Sequence, residues 1–300
     1  MKHPVFKSES FNQDLNSTGY FTRQILTPGE IEDLTSFFHN ISLEFGRDLN
    51  PKKVQFGAET SQKLFRQQFD KLHTVFQQKI EELFADYEIW QAQFIIKPAL
   101  AGEMKTHVHP SIIEEDKFVP IGIWVPLQDV NETNGALKIL PNSNKMFQAL
   151  YPRPFDDGPF RKIEKFSDYL LEKNALMPIH LKSGEAIIFE ECLLHYSSAN
   201  LTEKPRLAAA VFVKPKKSQL YYFKEIVKNR KRKITKQKIN NKMYFVGEWK
   251  NSDVLSEPEI IDAPQHNLSF KKFDFLMEHY RLPKNNLELV KFDLKNRFSL

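Results

Sequence analysis

Cysteine is nearly absent: Cys192 stands alone in 300 residues, so no intramolecular disulfide can form. A chain of this length can bury a sufficient core without one. Glycine is scarce at ten, and neither Gly-x-Gly-x-x-Gly nor a P-loop occurs. That excludes nucleotide folds built on Gly-rich phosphate loops. No stretch approaches the roughly 18 uncharged apolar residues of a membrane span, and the start, MKHPVFKSES, lacks the apolar run of a secretory signal. The expected compartment is therefore the reducing cytoplasm. There is also no Gly-x-Ser-x-Gly elbow to suggest a serine nucleophile.

What the chain does have is phenylalanine, 26 of them, within an ordinary balance of 41% hydrophobic and 27% charged residues. This is the composition of a soluble, folded protein with aromatic packing between its layers. The net charge of +5 is local in origin. Residues 224–242 hold nine Lys and Arg against one Glu, which leaves the rest of the chain three units negative. The basic run has no interleaved aromatics on which bases could stack, so it argues against nucleic acid and for a solvated hairpin or mobile loop. At the mouth of a binding site it could instead act as a lid for an acidic substrate.

Thr27-Pro28-Gly29-Glu30 reads as a capping box, and Ile31, Leu34, Phe37, Phe38 and Ile41 follow at helical spacing. A longer amphipathic helix is expected over Ser61 to Phe84, with Phe65, Phe69, Leu72, Phe76, Ile80 and Leu83 along its core stripe. From Ile89 the pattern changes to strands: Trp90–Lys97, Ile121–Leu127, Ala136–Leu140, Ile179–Leu181, Ala186–Phe189 and Leu207–Val213. Polar breaks such as Asn131–Gly135 and Ser183–Glu185 separate them. Strands that cluster instead of alternating with helices predict an antiparallel sheet or barrel beside a helical layer. After Lys214 come the basic run, a strand-like Met243–Trp249 and a helix over Phe270–Tyr280. Residues 1–214 are thus expected to form one domain, with 215–300 an extension packed on it.

His107 and His109 are two apart, so in extended chain their side chains leave the same face and can converge on one ion. His195 follows a buried strand, and Arg206 lies eleven residues on, across a turn-like loop at Ser197–Pro205. A hairpin there returns the guanidinium to the histidine.

These residues, together with Ile123-Trp124-Val125-Pro126-Leu127-Gln128-Asp129, Asn131–Leu137, Leu140–Asn144 and His195-Tyr196-Ser197-Ser198-Ala199-Asn200, resemble the phytanoyl-CoA dioxygenase family of iron(II)- and 2-oxoglutarate-dependent oxygenases. The resemblance starts at Gly19-Tyr20-Phe21, runs to Val213 and covers about two thirds of the chain. It implies a mainly β fold with flanking helices, a double-stranded β-helix or cupin-like jelly roll carrying a metal between two sheets. It further implies that His107 and His195 hold Fe(II), that Arg206 grips the distal carboxylate of 2-oxoglutarate with help from Ser197, and that Lys97 and Trp124 line the same cavity. A planar guanidinium suits a carboxylate, and imidazoles suit iron(II).

The chain departs from the family pattern where His-x-Asp becomes His107-Val108-His109. Three outcomes are open. His109 ligates and the site is one unit more positive; or His109 turns away and Glu114, Glu115 or Asp116 reaches in; or the metal is lost and the fold serves binding. Taken separately from the ligand question, the activities in view are a 2-oxoglutarate-dependent hydroxylation of a small molecule, a three-histidine metal enzyme without 2-oxoglutarate, and a noncatalytic jelly-roll module. Cys192 and the remaining histidines read as packing or surface residues. Substrate identity and oligomeric state have no sequence signal.

Overall fold

The computed structural model describes residues 4–42, 53–57, 60–147, 163–229, 231–240, 255–263, 269–280, 282, 283, 285 and 288. The elements run, in chain order, α1 (Glu9–Thr18), β1 (Tyr20–Gln24), α2 (Pro28–Ser42), β2 (Gln55–Phe56), α3 (Gln62–Leu83), β3 (Tyr87–Lys97), β4 (Met104–His107), β5 (Ile121–Pro126) and β6 (Leu137–Ile139). They continue with α4 (Asn144–Phe147), α5 (Ser167–Glu172), β7 (Met177–Ile179), β8 (Glu185–Glu190), β9 (His195–Ser197), β10 (Arg206–Pro215), β11 (Tyr221–Lys228), β12 (Lys231–Lys238), β13 (Glu259–Asp262) and α6 (Phe270–His279).

Two antiparallel sheets face each other in a jelly roll. The larger has the order β1-β8-β5-β10-β3-β2 and the smaller β4-β9-β6-β7. The long non-sequential neighbours, such as β5 beside both β8 and β10, are the Greek-key pairings that such a roll requires. Period-two alternation divides the larger sheet. Leu207, Ala209, Val211 and Val213 of β10 pack with Phe94, Ile96 and Val125 against Leu72, Phe76 and Ile80 of α3. Ala208, Ala210 and Phe212 join Trp90, Trp124 and Phe189 on the face turned to the smaller sheet.

The helices begin as their sequences dictate. The Thr27 amide donates to the Glu30 carboxylate at 2.8 Å, and the Glu30 amide donates to the Thr27 hydroxyl at 3.3 Å, a reciprocal capping box. The Ser61 hydroxyl accepts from the Leu64 amide at the start of α3.

The structure corrects the strand reading in two places. Tyr20–Gln24 is a strand, paired with β8 at the sheet edge; with only half-buried and exposed positions it lacks the apolar alternation that marks the others. The strand expected at Ile179–Leu181 lies two residues earlier, because Ile179 pairs with Leu137 while Leu181 makes an isolated bridge to Val130. His180, expected in that strand, falls just past its end. The strand-like Met243–Trp249 and His266 lie outside the described residues.

The basic run forms the hairpin β11–β12, extended by β13 into a third sheet. It joins the roll through the Tyr221 amide, which donates to the Ile112 carbonyl at 2.8 Å, and through Lys236, whose ammonium meets Glu114 at 2.9 Å. Helix α6 stacks Phe273 on Phe166 with ring centroids 4.1 Å apart. Among the described residues no helix is long and apolar enough to cross a membrane.

Candidate metal and anion site

Between the two sheets lies a partly open cavity lined by residues of both. Two polar groups of residues meet at it, one of them including Lys97, which lies behind the lining residue Ser197, and strand register explains both.

The first is imidazole. His107 of β4 is paired directly with His195 of β9, which sets their rings side by side with centroids 4.1 Å apart. His109 continues in the same phase beyond the end of β4. Its amide donates to the Glu191 carbonyl at 3.0 Å, and its ring centroid comes within 4.9 Å of that of His195. One nitrogen from each of the three rings lies within 4.8 Å of the others. In two of the rings, Nδ1 is held by the backbone carbonyl two residues earlier, His107 by Lys105 at 2.8 Å and His195 by Leu193 at 2.9 Å. Such a bond makes Nδ1 the donor and leaves Nε2 as the lone-pair nitrogen. Burial lowers the pKa of His107 and His109 to about 4, aided for His107 by His109, and takes His195 well below its usual value. At neutral pH all three present lone pairs, the state a divalent metal requires.

The second group is cationic. Lys97 of β3 and Arg206 of β10 are direct cross-strand partners, and both are buried. Like charges in that relation repel each other, and each also loses its hydration. Burial first, then Arg206, lowers Lys97 to about 7, and burial lowers Arg206 to about 9. The Lys97 ammonium donates to the Ser197 hydroxyl at 2.8 Å, to the Ser197 carbonyl at 3.1 Å and to the Ser198 carbonyl. Arg206 stacks 4.9 Å over Trp124, makes a long 3.5 Å bond to the Gly135 carbonyl, and leaves Nε with no partner. Among the described residues neither cation is ion-paired. Gly135, at φ +91°, is required here: a Cβ would come within 2.7 Å of the Lys97 side chain.

All seven residues singled out in the sequence, His107, His109, His195, Lys97, Ser197, Arg206 and Trp124, therefore lie together, with Trp124 beneath the guanidinium. The acids that might have replaced the missing aspartate do not join them. Glu114 turns to Lys117 and Lys236, and neither Glu115 nor Asp116 belongs to the group that could hold an ion. The acid beside the cluster is Glu191, 3.7 Å from His109 Nδ1, which sequence reasoning missed. Its signal was the i, i+2 phase shared with Ile187 and Phe189, which pack between the two sheets. Cys192 is buried, with Sγ against the Asn144 carbonyl and Glu190, and takes no part in the cluster.

Among curated proteins, phytanoyl-CoA dioxygenase 1 of rice (Oryza sativa subsp. japonica) is 28% identical over 127 residues, 41% of this chain and 43% of that protein. A phytanoyl-CoA dioxygenase domain-containing protein 1 homolog of Dictyostelium discoideum is 23% identical over 190 residues, 60% of this chain and 66% of its own length. The match thus spans less than half of the rice protein. Among solved structures, the non-heme alpha-ketoglutarate-dependent carbocyclase SnoK from nogalamycin biosynthesis shares the fold at TM-score 0.51 and 12% identity, covering 71% of this chain and 86% of that one. The family model for phytanoyl-CoA dioxygenase matches residues 18–208. With β1 through the start of β10 inside that match, and with both ends of the cavity built from it, this chain is a member of the phytanoyl-CoA dioxygenase family.

Proposed function

We propose that the protein is an iron(II)- and 2-oxoglutarate-dependent dioxygenase that hydroxylates a small molecule, with His107, His109 and His195 as the metal ligands. The observation that carries this reading is the Lys97–Arg206 pair: two buried cations, adjacent in register, with an orphaned Nε and, among the described residues, no ion pair to either. Such an arrangement is costly unless an anion completes it, and a guanidinium fork with an ammonium beside it matches a carboxylate. The imidazole set fits the other guest. It has three lone pairs, two of them fixed by carbonyl-anchored Nδ1–H groups, in a cavity with room for further ligands.

When bound, the metal with 2-oxoglutarate and dioxygen supplies the oxidising chemistry. The chain supplies the placement. Arg206 and Lys97 receive the remote carboxylate, Ser197 holds the Lys97 ammonium in line, and Trp124 supports the flat face of the guanidinium. Ile95, Phe189 and Phe212 line the rest of the cavity with hydrocarbon, which keeps bulk water from the reacting centre and favours substrates with an apolar portion.

The exchange of His-x-Asp for His-x-His favours a second reading, a three-histidine metal enzyme that uses no keto acid. One experiment separates the two. Anaerobic addition of iron(II) and 2-oxoglutarate should produce a visible charge-transfer band that Arg206→Ala weakens, and admission of oxygen should then release succinate. Oxygen uptake without 2-oxoglutarate, with no such band, would establish the second reading instead.

A further inference from the structure

The three imidazoles are not oriented alike. His107 and His195 are each fixed by a backbone carbonyl through Nδ1, whereas His109 Nδ1 is buried and has no hydrogen-bond partner. What faces it is the Glu191 carboxylate, with Oε2 at 3.7 Å and Oε1 likewise buried and unpartnered. Glu191 is held at both backbone ends. Its amide donates to the Pro120 carbonyl at 3.1 Å, and its carbonyl accepts from the His109 amide at 3.0 Å. The His109 ring is flanked by Phe212 at 5.3 Å and Phe189 at 5.8 Å, so it has little freedom to tilt away. Glu191 is 3% exposed, and burial raises its pKa to about 8, with only the neutral Trp90 donor opposing the rise. Its natural complement is a cation on the far side of the imidazole.

We propose that Glu191 is the positioning residue for His109: it fixes the tautomer that directs Nε2 toward the metal, and it returns, one ring away, the negative charge that the His-x-His exchange removes from the metal's own ligands. The inference rests on the reading above that these imidazoles hold a metal. Together, His109 and Glu191 then do the work that a single directly bound aspartate does in a His-x-Asp site. Affinity and redox behaviour are set by the pair and not by His109 alone.

The test is a competition titration of the metal-free, full-length protein with cobalt(II), on wild type and Glu191→Gln, read by affinity and by the visible spectrum of the bound ion. The substitution keeps the side chain's shape and removes its charge. Affinity should fall by roughly ten- to a hundredfold and the spectrum should shift, while the melting temperature of the metal-free protein does not fall. Equal affinity and an unchanged spectrum would overturn the proposal. Failure of wild type to bind cobalt(II) at all would overturn the metal reading itself, and this inference with it. Should Glu191→Gln not fold, the cobalt-loaded wild type decides by proton magnetic resonance. Three exchangeable, hyperfine-shifted Nδ1–H signals are expected, and two, with that of His109 missing, would overturn the proposal.

Discussion

The two faces of the six-stranded sheet are made from the same strands and obey different rules. On the side covered by α3, β3, β5 and β10 contribute Phe94, Ile96, Val125, Leu207 and Val211 to an unbroken apolar layer, whose stability follows from area removed from water. On the side facing the smaller sheet, the same strands contribute Lys97, Trp124 and Arg206, buried as deeply but polar or charged. The first face holds the fold. The second is a standing electrostatic cost, which an anion bound as proposed above would offset. The comparison teaches that burial alone does not identify a core; what matters is whether the buried group has its partner within the chain.

Four substitutions and a pH titration can break or sharpen this contrast, and the largest effect is expected on the packing face. Phe94→Ala removes a fully buried ring beside α3 and should destabilise the protein by about 3–5 kcal/mol. Urea unfolding measures the loss, and the folded fraction should bind 2-oxoglutarate as before. On the cavity face the sign of the stability effect changes. Arg206→Met should weaken 2-oxoglutarate binding by about 2–4 kcal/mol, read by calorimetry on the metal-loaded protein, without lowering the melting temperature of the ligand-free form. A large stability loss at residue 206 would erase the distinction between the faces.

A smaller effect follows from Lys97. Burial and the neighbouring Arg206 lower its pKa to about 7, so its positive charge is present below that pH and is lost as pH rises through it. Affinity for 2-oxoglutarate should therefore decline as pH rises, by at most about tenfold per unit, and a bound anion should move the decline to higher pH. Lys97→Met should bind more weakly at pH 6 and flatten the profile. The smallest effect lies away from both faces: Thr27→Ala breaks the capping box of α2 and should cost about 1 kcal/mol, measured by thermal unfolding, with no change in ligand binding.

Legibility in the sequence divides along the same line. The helices α2 and α3 and the central strands announce themselves through capping residues and apolar periodicity, because those signals arise from solvent exclusion along a local stretch. Edge strand β1 does not, since its side chains are half-buried or exposed and its existence depends on pairing with distant β8. At the site, His107 and His109 are readable from spacing alone, and His195, Ser197 and Arg206 from family motifs. That Lys97 stands opposite Arg206 is a fact of β3–β10 register, which no local pattern encodes. Glu191 escaped for the same reason. Its relation to His109 runs through a backbone bond between segments about 80 residues apart in the chain, a separation across which only the folded topology has information.

The Lys97–Arg206 rung also bears on how such a protein can diversify. Both groups are anchored in a ladder in which seven successive residue pairs keep one alignment before a bulge at Phe212/Val213. Insertions or exchanges in the connecting segments can thus remodel the entrance while the proposed anion seat stays where it is. Selection for a new substrate can act on the rim and leave the proposed docking point of the keto acid untouched.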